Sequence, residues 1–110
     1  MLEFESKKID LDLKIKVEGK EKIFKFQGDG KVNAKRGSAL GNEFKEFEKA
    51  NESLPESERR DPGRVLIYEL KMIYPTMTDE DTDWLWENFT IGQLSDMVRQ
   101  VSIGMLQAKN

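Results

Sequence analysis

The sequence has no histidine and no cysteine among its 110 residues. Histidine is the side chain that most often moves protons near neutral pH, and the two residue types supply most zinc ligands. No serine here has a histidine to activate it as a nucleophile. Without cysteine the chain has no disulfide framework, which fits a cytoplasmic protein. We therefore expect a protein that is not an enzyme and that needs no cofactor and no metal.

Long apolar runs are also missing. No stretch of the sequence approaches the length of a membrane-spanning helix, and the N-terminus lacks the basic and apolar regions of a signal peptide. Hydrophobic residues make up 37% of the chain, and two tryptophans and six phenylalanines distinguish it from a disordered polypeptide. The length fits a single domain over residues 1–110, with no membrane partner.

Charge is distributed unevenly along the chain. Residues 1–36 carry ten Lys and Arg against seven Asp and Glu, whereas the remaining residues carry eight against fourteen. Such asymmetry can orient docking or head-to-tail assembly of a homo-oligomer. It is also the ordinary pattern of a solvated surface, so both interpretations stay open.

The N-terminal part of the chain predicts a β-hairpin over residues 9–27. Apolar and charged residues alternate strictly over 9–17, which is typical of a strand with one buried face. Glu18-Gly19 predicts a two-residue turn, followed by a returning strand. This turn would place Leu13 opposite Phe24, so that the hairpin buries one apolar face.

Four helices are expected after the hairpin, over residues 38–51, 62–74, 79–88 and 91–107. Asp61-Pro62 predicts a capped helix start, and threonines at 78 and 90 predict two more. The second helix is apolar almost all round, so it should lie at the centre of the fold. A third short strand around Val32 is an open alternative. The predicted fold is α+β, with an N-terminal antiparallel β-hairpin packed on a bundle of about four α-helices.

One acidic run has the opening spacing of a calcium loop, namely Asp79, Asp81 and Asp83. The sixth position of such a loop requires glycine but is Trp84, and the twelfth requires glutamate but is Thr90. The run is therefore interpreted as the acidic first turn of a helix, where the helix dipole favours negative charge.

The best candidate for a nucleic-acid contact is a small basic cluster formed by Lys31, Lys35 and Arg36. The lysines of the hairpin are interleaved with acidic residues, which is typical of a solvated ribbon rather than of a phosphate-binding track. The net charge of −3 is too small to imply a nucleic-acid partner by itself, so nucleic acid is not the expected partner.

Apolar residues that fall off the expected core faces are candidates for a protein-binding surface. A helical projection places Leu85, Trp86 and Phe89 on one face of the third helix, with its other tryptophan on a different face. Two aliphatic residues of the last helix fall outside its main apolar stripe. Such side chains anchor helix-in-groove contacts, although a small domain can also bury them in its own core. The candidate anchors are Trp84, Ile103 and Leu106.

Read in order, several motifs of the chain resemble those of a known family. They are Gly19-Lys20 with a Phe-x-Phe return strand, Phe47-Glu48-Lys49 at the end of a helix, Tyr74-Pro75, the threonine-capped acidic turn from Thr78, and a terminal amphipathic helix. In this order they resemble the tail assembly chaperones of long-tailed bacteriophages and prophages, of the type found in Gram-positive hosts. The resemblance covers most of the chain.

The resemblance implies a non-enzymatic protein in the cytoplasm of the bacterial host, which binds the tape-measure protein and assists tail-tube assembly. Many such families also make a longer form by ribosomal frameshifting, and the codons for Ala108-Lys109-Asn110 can contain a slippery string. The competing hypothesis is a small phage-type regulatory or inhibitory protein that binds a host factor or nucleic acid through the basic cluster.

Overall fold

The computed structural model describes residues 1–4, 11–26 and 34–106, and for Leu106 it describes the backbone alone. Within these ranges the elements are β1 (Leu13–Val17), β2 (Lys20–Phe24), α1 (Ala34–Glu52), α2 (Pro62–Ile73), α3 (Asp79–Asn88) and α4 (Ile91–Leu106), with a 3-10 turn at Glu56–Glu58. The α+β prediction, an antiparallel hairpin followed by four helices, is confirmed.

The hairpin turn has the conformation that a two-residue loop requires. Glu18 has φ 47° and Gly19 has φ 82°, so both central residues adopt the left-handed region of a type I′ turn. The register pairs Leu13 with Phe24, as the turn length predicts. The predicted beginning of the hairpin and the third strand around Val32 lie outside the described residues.

Asp12 extends the hairpin beyond its last paired residues. The backbone N–H of Phe26 donates to Asp12 Oδ1 at 2.8 Å, and Lys25 Nζ lies 3.1 Å from Asp12 Oδ2. The backbone hydrogen bond, helped by the lysine, lowers the pKa of Asp12. The Asp12 carboxylate thus accepts the Phe26 N–H in place of a backbone carbonyl of the opposite strand.

Helix α2 is central, as its apolar sequence predicts. Asp61 caps it by accepting a hydrogen bond from the Gly63 N–H at 2.9 Å, and proline occupies its first turn. Ile67, Leu70 and Ile73 have no exposed surface, and α2 packs against the other three helices. This helix therefore lies at the centre of the helical part of the fold.

Helix α1 begins at Ala34 rather than at residue 38. Gly37 and Gly41 lie inside it, and each helical glycine costs only about 1 kcal/mol relative to alanine, which is too little to end a helix. Leu40 is its only buried residue among those described, while Phe44 and Phe47 are half-buried. Helix α1 is consequently the helix with the smallest apolar contact to the rest of the fold.

Helices α3 and α4 begin at the capping residues that the sequence indicates. Thr78 Oγ1 accepts from the Asp81 N–H while the Asp81 carboxylate accepts from the Thr78 N–H. Thr90 and Gln93 make the same reciprocal pair at the start of α4. The acidic run thus serves as a helix start, and its geometry is that of a cap.

One core joins the hairpin to the helices. Tyr74, which follows α2, is fully buried and its hydroxyl donates to the backbone carbonyl of Leu11 at 2.6 Å. Its ring meets Phe26 edge-on, with 6.3 Å between ring centroids. Among the described residues, this core cluster consists of Ile15, Phe24, Phe26, Ile67, Leu70, Ile73, Tyr74, Met77, Leu85, Leu94, Val98 and Val101.

We expect Tyr74→Phe to destabilise the fold by about 1–3 kcal/mol, because it leaves the Leu11 carbonyl without its buried donor. Such a loss lowers Tm by about 4–8 °C for each kcal/mol in a domain of this size. The control is Tyr68→Phe, since the half-buried Tyr68 makes no hydrogen bond through its hydroxyl among the described residues. Equal Tm values for the two variants in thermal denaturation would contradict the assignment.

Candidate functional site

A groove runs between the hairpin and α4, with a volume of about 400 Å³. Residues of α4 that line it recur at spacings of three and four, so they share one helix face. We call it the α4 groove. It is lined by Leu11, Asp12, Leu13, Tyr74, Phe89, Gln93, Asp96, Met97, Gln100 and Val101.

The α4 groove combines an apolar floor with an acidic rim. Asp96 is paired with Arg99 and accepts from Gln100 Nε2 at 3.0 Å. The hydrogen bond from Arg99 lowers the pKa of Asp96, and the Phe26 N–H and Lys25 do the same for Asp12. Both carboxylates are therefore ionised at neutral pH and already paired with basic residues of the chain, so the groove offers a partner chiefly its apolar lining.

A second exposed apolar surface, here called the Trp86 patch, consists of Trp86 and Ile91, which lie over the buried Gly63. Trp86 and Ile91 are 37% and 50% exposed. A Cβ atom on Gly63 would lie 2.9 Å from Trp86 Cζ3 and 3.3 Å from Ile91 Cγ1, so the two side chains meet over the glycine. The Arg64 guanidinium stacks 4.7 Å from the Trp86 ring and pairs with Asp83 at 3.0 Å.

Trp84, one of the three predicted anchors, lies against the hairpin. It is half-buried and packs against the core. Its ring meets Phe89 edge-on at 6.3 Å, and Lys22 Nζ lies 4.6 Å from its centroid. Lys22 also pairs with Asp81 at 3.0 Å. The indole thus helps to hold α3 on β2.

The expectation that Leu85, Trp86 and Phe89 share one face is wrong. Leu85 is fully buried and Trp86 is exposed, while Phe89 contacts Trp84. The reason is local, because α3 ends at Asn88 and Phe89 has extended dihedral angles (φ −124°, ψ 148°). A helical projection does not apply to a residue that has left the helix.

The other two predicted anchors lie near the end of α4. Ile103 is 39% exposed and does not line the α4 groove. The side chain of Leu106 lies outside the described residues. The structure thus does not join Trp84 and Ile103 in either surface described above. Trp86 and Ile91 were missed, although a glycine in the first turn of α2 was a signal that another side chain approaches closely.

The predicted basic cluster is only partly described, since Lys31 lies outside the described residues. Lys35 is exposed in the first turn of α1. Arg36 is half-buried, with its guanidinium carbon 4.0 Å from the centre of the Phe26 ring. Arg36 therefore contributes to the docking of α1 on the hairpin.

A third feature is a carboxyl pair between α1 and α2. Glu69 is only 4% exposed, and its Oε1 atom has no hydrogen-bond partner among the described residues. Burial raises the pKa of Glu69 to about 8, helped by a hydrogen bond to Glu48 and by the charge of that residue. No sequence pattern distinguishes Glu69, which is the single acidic residue of the otherwise largely apolar helix α2.

The described residues contain no group of three or more acidic side chains placed to hold a metal ion. No helix among them is long and apolar enough to cross a membrane. Comparison of the chain with family models, with curated proteins and with solved structures finds no match.

We expect the stability of the fold to fall as pH rises from about 5 to about 9, with Glu69 as a main cause. Its folded pKa of about 8 exceeds the ordinary 4.5, so its contribution is complete below the ordinary value and is lost through about 8. Glu69→Gln should flatten this dependence, and at about pH 9 it should be more stable than the natural chain by about 1–3 kcal/mol.

The measurement is Tm or urea midpoint against pH for the natural chain and the variant. Glu46→Gln is the matched control, because Glu46 is an exposed residue of the same helix as Glu48. Parallel pH profiles for the natural chain and Glu69→Gln would show that Glu69 is not protonated in the folded state.

Proposed function

We propose that this protein is a tail assembly chaperone that binds the tape-measure protein and assists tail-tube assembly. The observation that carries the proposal is the α4 groove, whose floor is apolar and whose rim is acidic. The choice of family rests on the order of the sequence motifs. Together they favour a protein-binding role in the bacterial cytoplasm.

The size of the α4 groove suits the side chains of a helix rather than a whole helix. A helix with its side chains is about 10–12 Å across, whereas a volume of about 400 Å³ holds a few large side chains. An amphipathic helix presents such side chains at positions i, i+3, i+4 and i+7. Long helical proteins such as tape measures offer many of these stripes, which must be kept from aggregating before assembly.

Met97 is the floor residue best suited to a variable helical partner. It is half-buried, packs against the core and lines the groove, and a methionine side chain adapts to differently shaped apolar partners. The competing hypothesis, a regulatory protein that acts through Lys31, Lys35 and Arg36, has less support, because Arg36 is stacked on Phe26.

We expect a tape-measure gene beside the gene of this chain, and co-expression of the two proteins to give a soluble complex. Met97→Gln, which keeps the volume but makes the floor polar, should weaken the complex by about tenfold or more, equivalent to about 1.4 kcal/mol. Met72→Gln is the control, because Met72 is a half-buried methionine of α2 that does not line the groove. Affinity is measured by titration of purified proteins, with Tm recorded for each variant.

Two results would count against this assignment. If neither a complex nor improved solubility of the tape-measure protein is found, the proposed function is wrong. If Trp86→Ala abolishes the complex while Met97→Gln leaves it intact, the partner binds the Trp86 patch and the groove has been misassigned. Ile103→Gln extends the same comparison to the exposed anchor that the sequence indicates.

A further inference from the structure

The groove between α1 and α2 has a volume of about 300 Å³ and carries negative charge at an apolar wall. We call it the carboxyl groove. Its lining residues are Glu48, Asn51, Glu52, Arg60, Pro62, Val65, Leu66 and Glu69. Three of them are carboxylic acids, and Glu69 is the one that the fold buries most completely.

Glu69 destabilises a central helix, because a buried carboxyl oxygen without a hydrogen-bond partner loses its hydration and no hydrogen bond replaces it. Its Oε1 atom is in that state among the described residues. Glu48 approaches it from α1 and is itself an acid, so the pair has no positive charge of its own. The pair is therefore short of a cationic partner.

Among the described residues that line the carboxyl groove, Arg60 alone is basic. Its guanidinium group lies over two aromatic rings. Its guanidinium carbon lies 5.2 Å from the Phe47 ring centre and 4.6 Å from that of Tyr68. Its backbone N–H donates to Asn51 Oδ1 at 2.8 Å. Arg60 forms no ion pair with a carboxylate of the described chain. Arg60 thus leaves Glu69 Oε1 without a donor in the described part of the chain.

We propose that the carboxyl groove binds the side chain of a lysine presented by a partner protein. The methylene groups of the lysine lie along Pro62, Val65 and Leu66, and its ammonium group sits between Glu48 and Glu69. A lysine matches this arrangement because it combines an apolar stem with a compact charge that has three donors. Glu69 reaches the ammonium by rotation about its last side-chain torsion, which has a broad energy minimum.

Binding of the ammonium group is coupled to a proton. The bound lysine favours the ionised pair, so Glu69, whose pKa is about 8, releases a proton at neutral pH. Affinity should therefore rise with pH up to about 8, by up to about tenfold per unit.

The charged groups that face Glu69 are Glu48 and Glu52 from α1 and Arg60 from the segment before α2. The inference does not depend on the proposed function.

The first experiment is an NMR titration of the full chain that follows the methyl signals of Val65 and Leu66. The probes are n-butylammonium chloride and, as the neutral control of the same shape, n-butanol. A helical peptide with one lysine, and the same peptide with norleucine instead, represent the protein-borne side chain. We expect saturable shifts with the ammonium and with the lysine peptide, and affinities at least about tenfold weaker for the neutral probes.

The second experiment repeats the titrations with Glu69→Gln and Glu48→Gln, with Glu46→Gln as the control on the same helix. Glu48 is exposed, so its variant tests the site even if the substitution at Glu69 disturbs folding. Both groove variants should weaken binding at least about tenfold, and Glu69→Gln should also remove its pH dependence, while the control retains both the affinity and the pH dependence. Equal binding of butylammonium and butanol, retention of affinity in both groove variants, or exclusion of the lysine peptide would each overturn the proposal.

Discussion

The contact between Tyr74 and the Leu11 backbone holds the two halves of this structure together. A two-stranded hairpin is marginal in water unless it packs on something else. Here the fully buried hydroxyl of Tyr74 donates to the Leu11 carbonyl at 2.6 Å, while the tyrosine ring packs against Phe26. Leu11 and Tyr74 both line the α4 groove, so the same contact helps to shape the candidate site.

Features encoded within a few neighbouring residues could be predicted from the sequence. The Glu18-Gly19 turn sets the hairpin register, and Asp61, Thr78 and Thr90 accept hydrogen bonds at helix starts. Each depends on local backbone chemistry that the residue types make explicit. The first turn of α1 was missed for the converse reason, because weak local glycine penalties do not decide where a helix begins when neighbouring residues favour it.

The sequence predicts that apolar side chains form a protein-binding surface, but it does not predict which side chains are exposed. Trp84 and Trp86 are two residues apart on one helix, and hydrophobicity does not distinguish them. Their exposure is decided by distant partners, since Lys22 of β2 covers the first whereas Arg64 of α2 leaves the second partly exposed. Such pairings depend on how strand and helices are placed in space, and a periodic pattern within one element contains no information about them.

The carboxyl groove lies where the fold has the least apolar stabilisation. Helix α1 buries only Leu40 among its described residues, and its contact with α2 is completed by Phe47, Tyr68 and the stacked Arg60. A protonated Glu69 at this interface avoids the cost of a buried charge but leaves an oxygen unsatisfied. A bound ammonium group would satisfy that oxygen and at the same time link Glu48 of α1 to α2. Occupancy of the groove would therefore stabilise the helix that the core itself holds most weakly.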